Sequence, residues 1–229
     1  MEKQHIKTFV GKLDFEQETG SSPEFDFLVD LCGTKYRNGR KHIPNPERGL
    51  MIYSLLKNYN LSSYCEIGIG KGYSLMSALK AFNESKKRFK ITTVDINSER
   101  IDIARNYVAE LFNNLNGRIN FVNEPSEKIL PMHNTRYDLI FIDGCHEKKN
   151  VLFDGNWAIL NTNKFVLFDD YNQTMWPGVF SACNELIENH KDGYWRFIIS
   201  DRLIYKKQSK SLLQVFTEGH GMLLYSKAY

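Results

Sequence analysis

Several kinds of feature are scarce in this chain, and each absence removes a class of protein. Its four cysteines, Cys32, Cys65, Cys145 and Cys183, form no CxxC pair and no metal-finger spacing, so they read as reduced thiols of an intracellular protein. Charge of one sign is lacking too. Against 30 Lys and Arg stand 27 Asp and Glu, net +3, too little for a dedicated nucleic-acid surface. The small basic clusters at 37–41 and 206–210 read as solvated loops. Long apolar runs are missing: the opening MEKQHIKTFVGKLDFEQETG has no core of signal-peptide length, and no window approaches a membrane span. There is no internal repeat and no low-complexity tract. The expectation is a soluble, cytoplasmic protein with neither a nucleic-acid nor a membrane partner. At 229 residues it fits one α/β domain with a full core.

What is present centres on residues 62–97. An apolar run ends in Glu66 and the cluster Gly68-Ile69-Gly70-Lys71-Gly72, a helical pattern follows from Tyr73, and a second apolar run ends at Asp95. That is strand, tight turn, helix, strand, acid. Glycines let the backbone turn sharply and approach a ligand closely, the helix directs unpaired N–H groups at the turn, and Asp95 is placed to accept from a ribose diol. A dinucleotide fingerprint would need GxGxxG, but Tyr73 stands where its last glycine belongs, and Glu66 is awkward beside a pyrophosphate. The pattern E-I-G-x-G-x-G-x-S resembles the first motif of class I S-adenosylmethionine-dependent methyltransferases. That resemblance implies donor binding by Glu66, Gly68, Gly70, Gly72, Ser74 and Ile96, with Asp95 at the ribose. A glycine-rich turn in another α/β protein is the plain alternative.

The rest of the chain alternates as a doubly wound sheet should. Residues 1–47 read as an N-terminal segment, polar to about residue 24, then a short helix at 23–32 and an irregular stretch, GTKYRNGRKHIPNPERG, that is either a lid or dimer contact or an ordinary connection. Helix 46–59 precedes the glycine turn. Helix 98–112, capped by Asn97 or Ser98, strand 118–122, the buried strand YDLIFI, helix 147–160, strand KFVLF and helix 177–190 follow it. YWRFIIS and GMLLYSKAY close the chain as an antiparallel pair. The expected fold over 48–229 is α/β, a Rossmann-like, doubly wound, mostly parallel seven-stranded sheet with an antiparallel C-terminal edge hairpin. The family resemblance implies the strand order 3-2-1-4-5-7-6.

In such sheets the site lies beyond the carboxyl ends of the strands. Glu66 to Gly72, Asp95, Pro125-Ser126, Asp143-Gly144-Cys145-His146 and Asp169-Asp170-Tyr171 follow successive strands. Adjacent acids facing a third acid repel one another unless a cation lies between them, and hard oxygen ligands suit Mg²⁺ or Mn²⁺. YDLIFIDGCHEKKNVLFD, KFVLFDDY and WPGVFSACNEL together resemble the metal-dependent small-molecule O-methyltransferases, of the macrolide-sugar and, more distantly, catechol type. The resemblance implies Asp143, Asp169 and Asp170 as metal ligands and His146 as general base. It also implies Ser126 and Asp143 at the donor and a sugar or other vicinal diol as substrate. The chain departs from the pattern at Asn161-Thr162-Asn163-Lys164, where Gly-Gly is usual, and at Glu124-Pro125, where Gly-Asp is common. A metal-independent enzyme of the same fold, a nicotinamide oxidoreductase and a non-catalytic binding protein are the competing readings. Tyr36, Tyr171 and Trp176 are candidates for the substrate side, and a homo-oligomer through the N-terminal segment is open.

Overall fold

A strand that is apolar at nearly every position needs cover on both faces. Strand Tyr137–Ile142 meets that need: Leu139 and Phe141 enter one hydrophobic cluster, while Ile140 and Ile142 enter another on the opposite face. The computed structural model describes residues 1–10, 23–35, 41–42, 46–112, 114–199 and 221–228. In chain order the elements are β1 (Glu2–His5), α1 (Lys7–Val10), α2 (Pro23–Leu31), the short pair β2 (Thr34–Lys35) and β3 (Lys41–His42), and α3 (Pro46–Asn58). Then come β4 (Ser63–Ile67), α4 (Tyr73–Ser85), β5 (Phe89–Val94), α5 (Ser98–Leu111), β6 (Gly117–Val122) and α6 (Ser126–Ile129). After a 3-10 turn follow β7 (Tyr137–Ile142), α7 (Lys148–Asn161), β8 (Thr162–Tyr171), α8 (Pro177–Asn189), β9 (Tyr194–Ile199) and β10 (Gly221–Ser226).

The large sheet runs β1-β9-β10-β8-β7-β4-β5-β6. Strands β4 to β8 are parallel to one another, and β10 is antiparallel to both β8 and β9. From β4 onward this is the expected order, and the mostly parallel, doubly wound architecture with its antiparallel C-terminal pair stands. The addition is β1, which pairs in parallel with β9, so the sheet ends on Glu2–His5 and not on the C-terminal pair. Nothing in EKQH alternates between apolar and polar; the backbone ladder to β9, with Glu2 paired to Arg196, holds it in the sheet, and a run of polar residues gives no strand signal.

Helices α2 to α5 bury Phe25, Leu28, Leu50, Leu55, Leu79 and Ile101 against one face, and α7 and α8 bury Ala158, Ala182 and Leu186 against the other. Ile6, Phe9 and Val10 belong to the first of these clusters, so the N-terminal residues share the core of α3 and α4. Strand order reverses at β4, between β5 and β7. A crevice opens there beyond the strand ends.

Candidate active site

The turn after β4 is built on glycines with positive φ: Gly68 (89°), Gly70 (54°) and Gly72 (84°). At Gly68 the need is strict. A Cβ would strike the carbonyl oxygen of Asp143 and lie 2.5 Å from its carbonyl carbon. The backbones of β4 and β7 therefore run on past their strands side by side, joined by Asp143 N–H donating to Ile67 O at 2.9 Å. The crevice at this point holds a cavity of 440 Å³, whose wall includes Gly68, Asp95, Ile96, Ser126, Asp143 and Asp154.

Asp95 is held by its neighbours. Its Oδ2 accepts from Ile69 N–H at 3.0 Å and its Oδ1 from Asn97 N–H at 2.8 Å, which ties the glycine turn to the end of β5. Each carboxylate oxygen has a second lone pair, so the group can still accept from a diol in the cavity. Ile96 is 72% exposed, an apolar face presented to that space. Asn97 caps α5 by accepting from Arg100 N–H at 3.2 Å.

Glu66, which the resemblance placed at the donor, lies away from the cavity. It is fully buried behind the turn, where Ser74 Oγ donates to it and Thr93 and Tyr64 hydroxyls lie at 3.4 Å, and neither Glu66 nor Ser74 is on the cavity wall. Burial pushes its carboxyl up to about 8, the hydroxyls opposing. Between pH 4.5 and about 8 the folded protein thus holds a proton that the unfolded chain has lost, so stability falls as pH rises through that window. Glu66→Gln, which is nearly isosteric and cannot titrate, should stay within ~1 kcal/mol of wild type at pH 7. It should also lose Glu66's share of the pH slope; urea midpoints measured from pH 5 to 8 would show it, and identical slopes would contradict the assignment.

The acids at the ends of β7 and β8 form the second half of the site. Successive side chains in a strand point to opposite faces, but Asp170 has φ 52° and the β8–β10 register shifts beside it. This break in alternation brings the Asp170 carboxylate to 3.1 Å from His146 Nε2. Asp143, His146 and Asp170 each offer an atom within 4.8 Å of the others, a grouping able to hold a metal ion. Asp169 is not part of that grouping. Its Oδ2 pairs with Arg48 Nη2, while Arg48 Nη1 donates to Asp143 Oδ2. The sequence reading grouped Asp143, Asp169 and Asp170 as one ligand set; in the structure Asp169 is turned to an arginine and His146 stands nearer the other two.

Burial raises the carboxyls of Asp143 and Asp169, with Arg48 opposing in both cases. Burial disfavours the Arg48 charge, and Asp143 and Asp169 more than restore it. His146 is raised from 6.5 chiefly by its bond to Asp170, and its ring packs on Trp176 with centroids 4.0 Å apart. Of the aromatics expected near the substrate, Trp176 is therefore beside the acid cluster, Tyr171 is buried with its hydroxyl donating to Asn184 at 3.2 Å, and Tyr36 lies outside the described residues, as do the other residues of 36–40 and 43–45 in the stretch read as a lid.

Sequence reasoning missed two residues. Arg48, in the first turn of α3, was signalled only by a cation at the wrong end of a helix dipole. Asp154, on the inner face of α7, is 2% exposed and lies on the cavity wall; burial raises its carboxyl to about 6.

A family model described as a methyltransferase domain matches residues 65–171, the span from β4 to the end of β8. A protein of Acanthamoeba polyphaga mimivirus is 29% identical over 139 residues, covering 57% of this chain and 62% of that protein, so less than two thirds of the relative is spanned. Among solved structures, the Podospora anserina methyltransferase PaMTH1 bound to S-adenosylhomocysteine superposes with a TM-score of 0.65 at 13% identity, over 98% of this chain and 94% of that one. The O-methyltransferase TomG of Streptomyces achromogenes, in complex with S-adenosylmethionine, gives 0.60 at 14% identity over 91% of both chains. With the glycine turn, Asp95 and the crevice at the strand reversal in place, residues 65–171 are similar to a methyltransferase domain, and the fold around them is that of the solved methyltransferases it superposes on.

Proposed function

We propose that this protein is an O-methyltransferase that methylates a hydroxyl of a small molecule, a sugar or other vicinal diol, with the help of a divalent ion. One observation carries the reading: Asp143 lines the donor cavity and also stands within ligand distance of His146 and Asp170. TomG, described as an O-methyltransferase, supports the oxygen acceptor. The donor set fits Mg²⁺ or Mn²⁺, being mostly hard carboxylate oxygen; Asp169 Oδ2 is buried and ion-paired without hydrogen-bond alignment, a ligand atom not fully used. Asp143 and Asp170, with Asp169 or His146, would hold the ion. A bound divalent ion supplies Lewis acidity that lowers the pKa of a hydroxyl next to it.

S-adenosylmethionine supplies a methyl group on a positive sulfur. The chain's own residues do the rest. Gly68, Asp95 and Ile96 hold the donor at the crevice, and Asp143 fixes the border between donor and acceptor sides. Asp170 engages His146 at Nε2 and Trp176 packs on the ring, so Nδ1 is the atom left to take the acceptor's proton. Holding two reactants in one crevice is worth up to ~7–11 kcal/mol of barrier. Replacement His146→Ala should cut turnover by about 10²-fold or more while donor affinity stays unchanged. Because the raised His146 must lose its proton to act, wild-type turnover should climb with pH through a midpoint above 6.5, and that limb should vanish in the variant. Unaltered turnover would remove His146 from the reaction.

The reading is tested by methyl transfer from labelled donor to catechol, a vicinal-diol sugar and a monohydric phenol. Transfer to the diols that disappears on chelation and returns with Mg²⁺ or Mn²⁺ is expected. Undiminished transfer after chelation would favour a metal-independent enzyme, a reading to which the Arg48 guanidinium between Asp143 and Asp169 lends support. Four free thiols, at Cys32, Cys65, Cys145 and Cys183, suit the cytoplasm.

A further inference from the structure

Helix α3 opens with Pro46, Glu47, Arg48 and Gly49. A cation in the first turn opposes the positive end of the helix dipole, so partners outside the helix must hold Arg48 in place. Gly49 provides the access. A Cβ there would lie 2.5 Å from Ser77 Oγ and 2.6 Å from the Tyr73 ring, so its absence lets α3 settle closely on the start of α4. Tyr73 hydroxyl donates to the Pro46 carbonyl at 3.1 Å and fixes the same turn. From that position the guanidinium spans the ends of β7 and β8, Nη1 on Asp143 Oδ2 and Nη2 on Asp169 Oδ2.

Resting on the metal-assisted reading above, we propose that Arg48 is a built-in competitor of the divalent ion. Its two nitrogens occupy oxygens that three-acid chelation by Asp143, Asp169 and Asp170 would need. Ion binding by all three acids therefore requires Arg48 to leave, and Arg48 keeps Asp143 and Asp169 paired when no ion is present. Three carboxylates in one cleft repel unless a cation sits among them, and a guanidinium reaching two of them meets that need from within the chain.

Incomplete satisfaction marks this pairing as exchangeable. Arg48 Nε is buried with no hydrogen-bond partner, and the Asp169 Oδ2 contact is an ion pair without hydrogen-bond alignment. A permanent structural bridge with these two atoms buried is expected to use its donors more fully, since each buried group left without a partner costs stability. Release of Arg48 uncovers the carboxylate edges on the acceptor side of Asp143, where a substrate hydroxyl must come to lie.

The test is Mn²⁺ affinity, by calorimetry or electron paramagnetic resonance, on the full chain and on Arg48→Met and Arg48→Lys, with folding checked by circular dichroism. Arg48→Met should bind Mn²⁺ about tenfold tighter or more, and Mn²⁺ should raise its unfolding midpoint further than it raises that of wild type. Arg48→Lys, which cannot bridge two carboxylates side by side, should fall between, and it decides the matter if Arg48→Met does not fold. Equal or weaker Mn²⁺ binding in the variants, with measurable binding in wild type, overturns the competitor while leaving the metal reading intact. No Mn²⁺ binding by any folded form overturns both.

Discussion

Gly68→Ala should abolish donor binding and lower the unfolding midpoint by about 5–20 °C. Two penalties add. A non-glycine residue at φ 89° is strained by roughly 1–3 kcal/mol, and the new methyl meets the backbone of Asp143 and Gly144, which cannot rotate away as a side chain could. Overpacking of that kind costs about 1–3 kcal/mol more. For a chain of this size each kcal/mol moves the midpoint by roughly 2–4 °C. Relief would come only by prising apart β4 and β7 where they leave the sheet, which widens the crevice at the point where the donor sits. Gly70→Ala is the control: its φ of 54° lies in the left-handed region that other residues do reach, and nothing stands within 4 Å of the added methyl. It should cost about 1–2 kcal/mol. Thermal scans and calorimetric titration with S-adenosylhomocysteine separate the two, and equal losses in both would mean that the close approach of the two strands is unimportant.

Asp143→Asn should lower methyl transfer by about 10²-fold or more while weakening S-adenosylhomocysteine binding only slightly. The side chain borders the donor cavity, but its carboxylate oxygen is directed at Arg48 and at the His146–Asp170 pair. Asparagine keeps the shape and loses the charge. An account in which Asp143 serves only the donor predicts the opposite split, with affinity lost and turnover at saturating donor kept. Measuring turnover at saturating donor beside calorimetric affinity distinguishes them.

Much of the fold could be read because its signals are local and repeated. The continuous apolar run at Tyr137–Ile142, the glycine cluster before Tyr73 and the cap at Asn97 each state a conformation within a few residues. β1 could not be read this way, since four polar residues join the sheet through a backbone ladder and an ion pair to β9, almost the length of the chain away. The positions of Asp95, Asp143, Asp169 and Asp170 followed from the rule that ligands gather at strand ends. Where their side chains point did not follow. The left-handed backbone at Asp170 and the reach of Arg48 across Gly49 decide that, and both depend on packing between elements distant in sequence. Glu66 shows the same limit: its motif position suggested a ligand contact, and the fold encloses it behind the turn with Ser74.

A crystal grown with S-adenosylhomocysteine and Mn²⁺, with data collected at the manganese absorption edge, bears most directly on the reaction. An anomalous peak bonded to Asp143 and Asp170, beside the donor sulfur and with the Arg48 guanidinium withdrawn, is the expected map. A map without that peak, at millimolar Mn²⁺ and with Arg48 still bridging Asp143 and Asp169, would contradict a metal-assisted transfer.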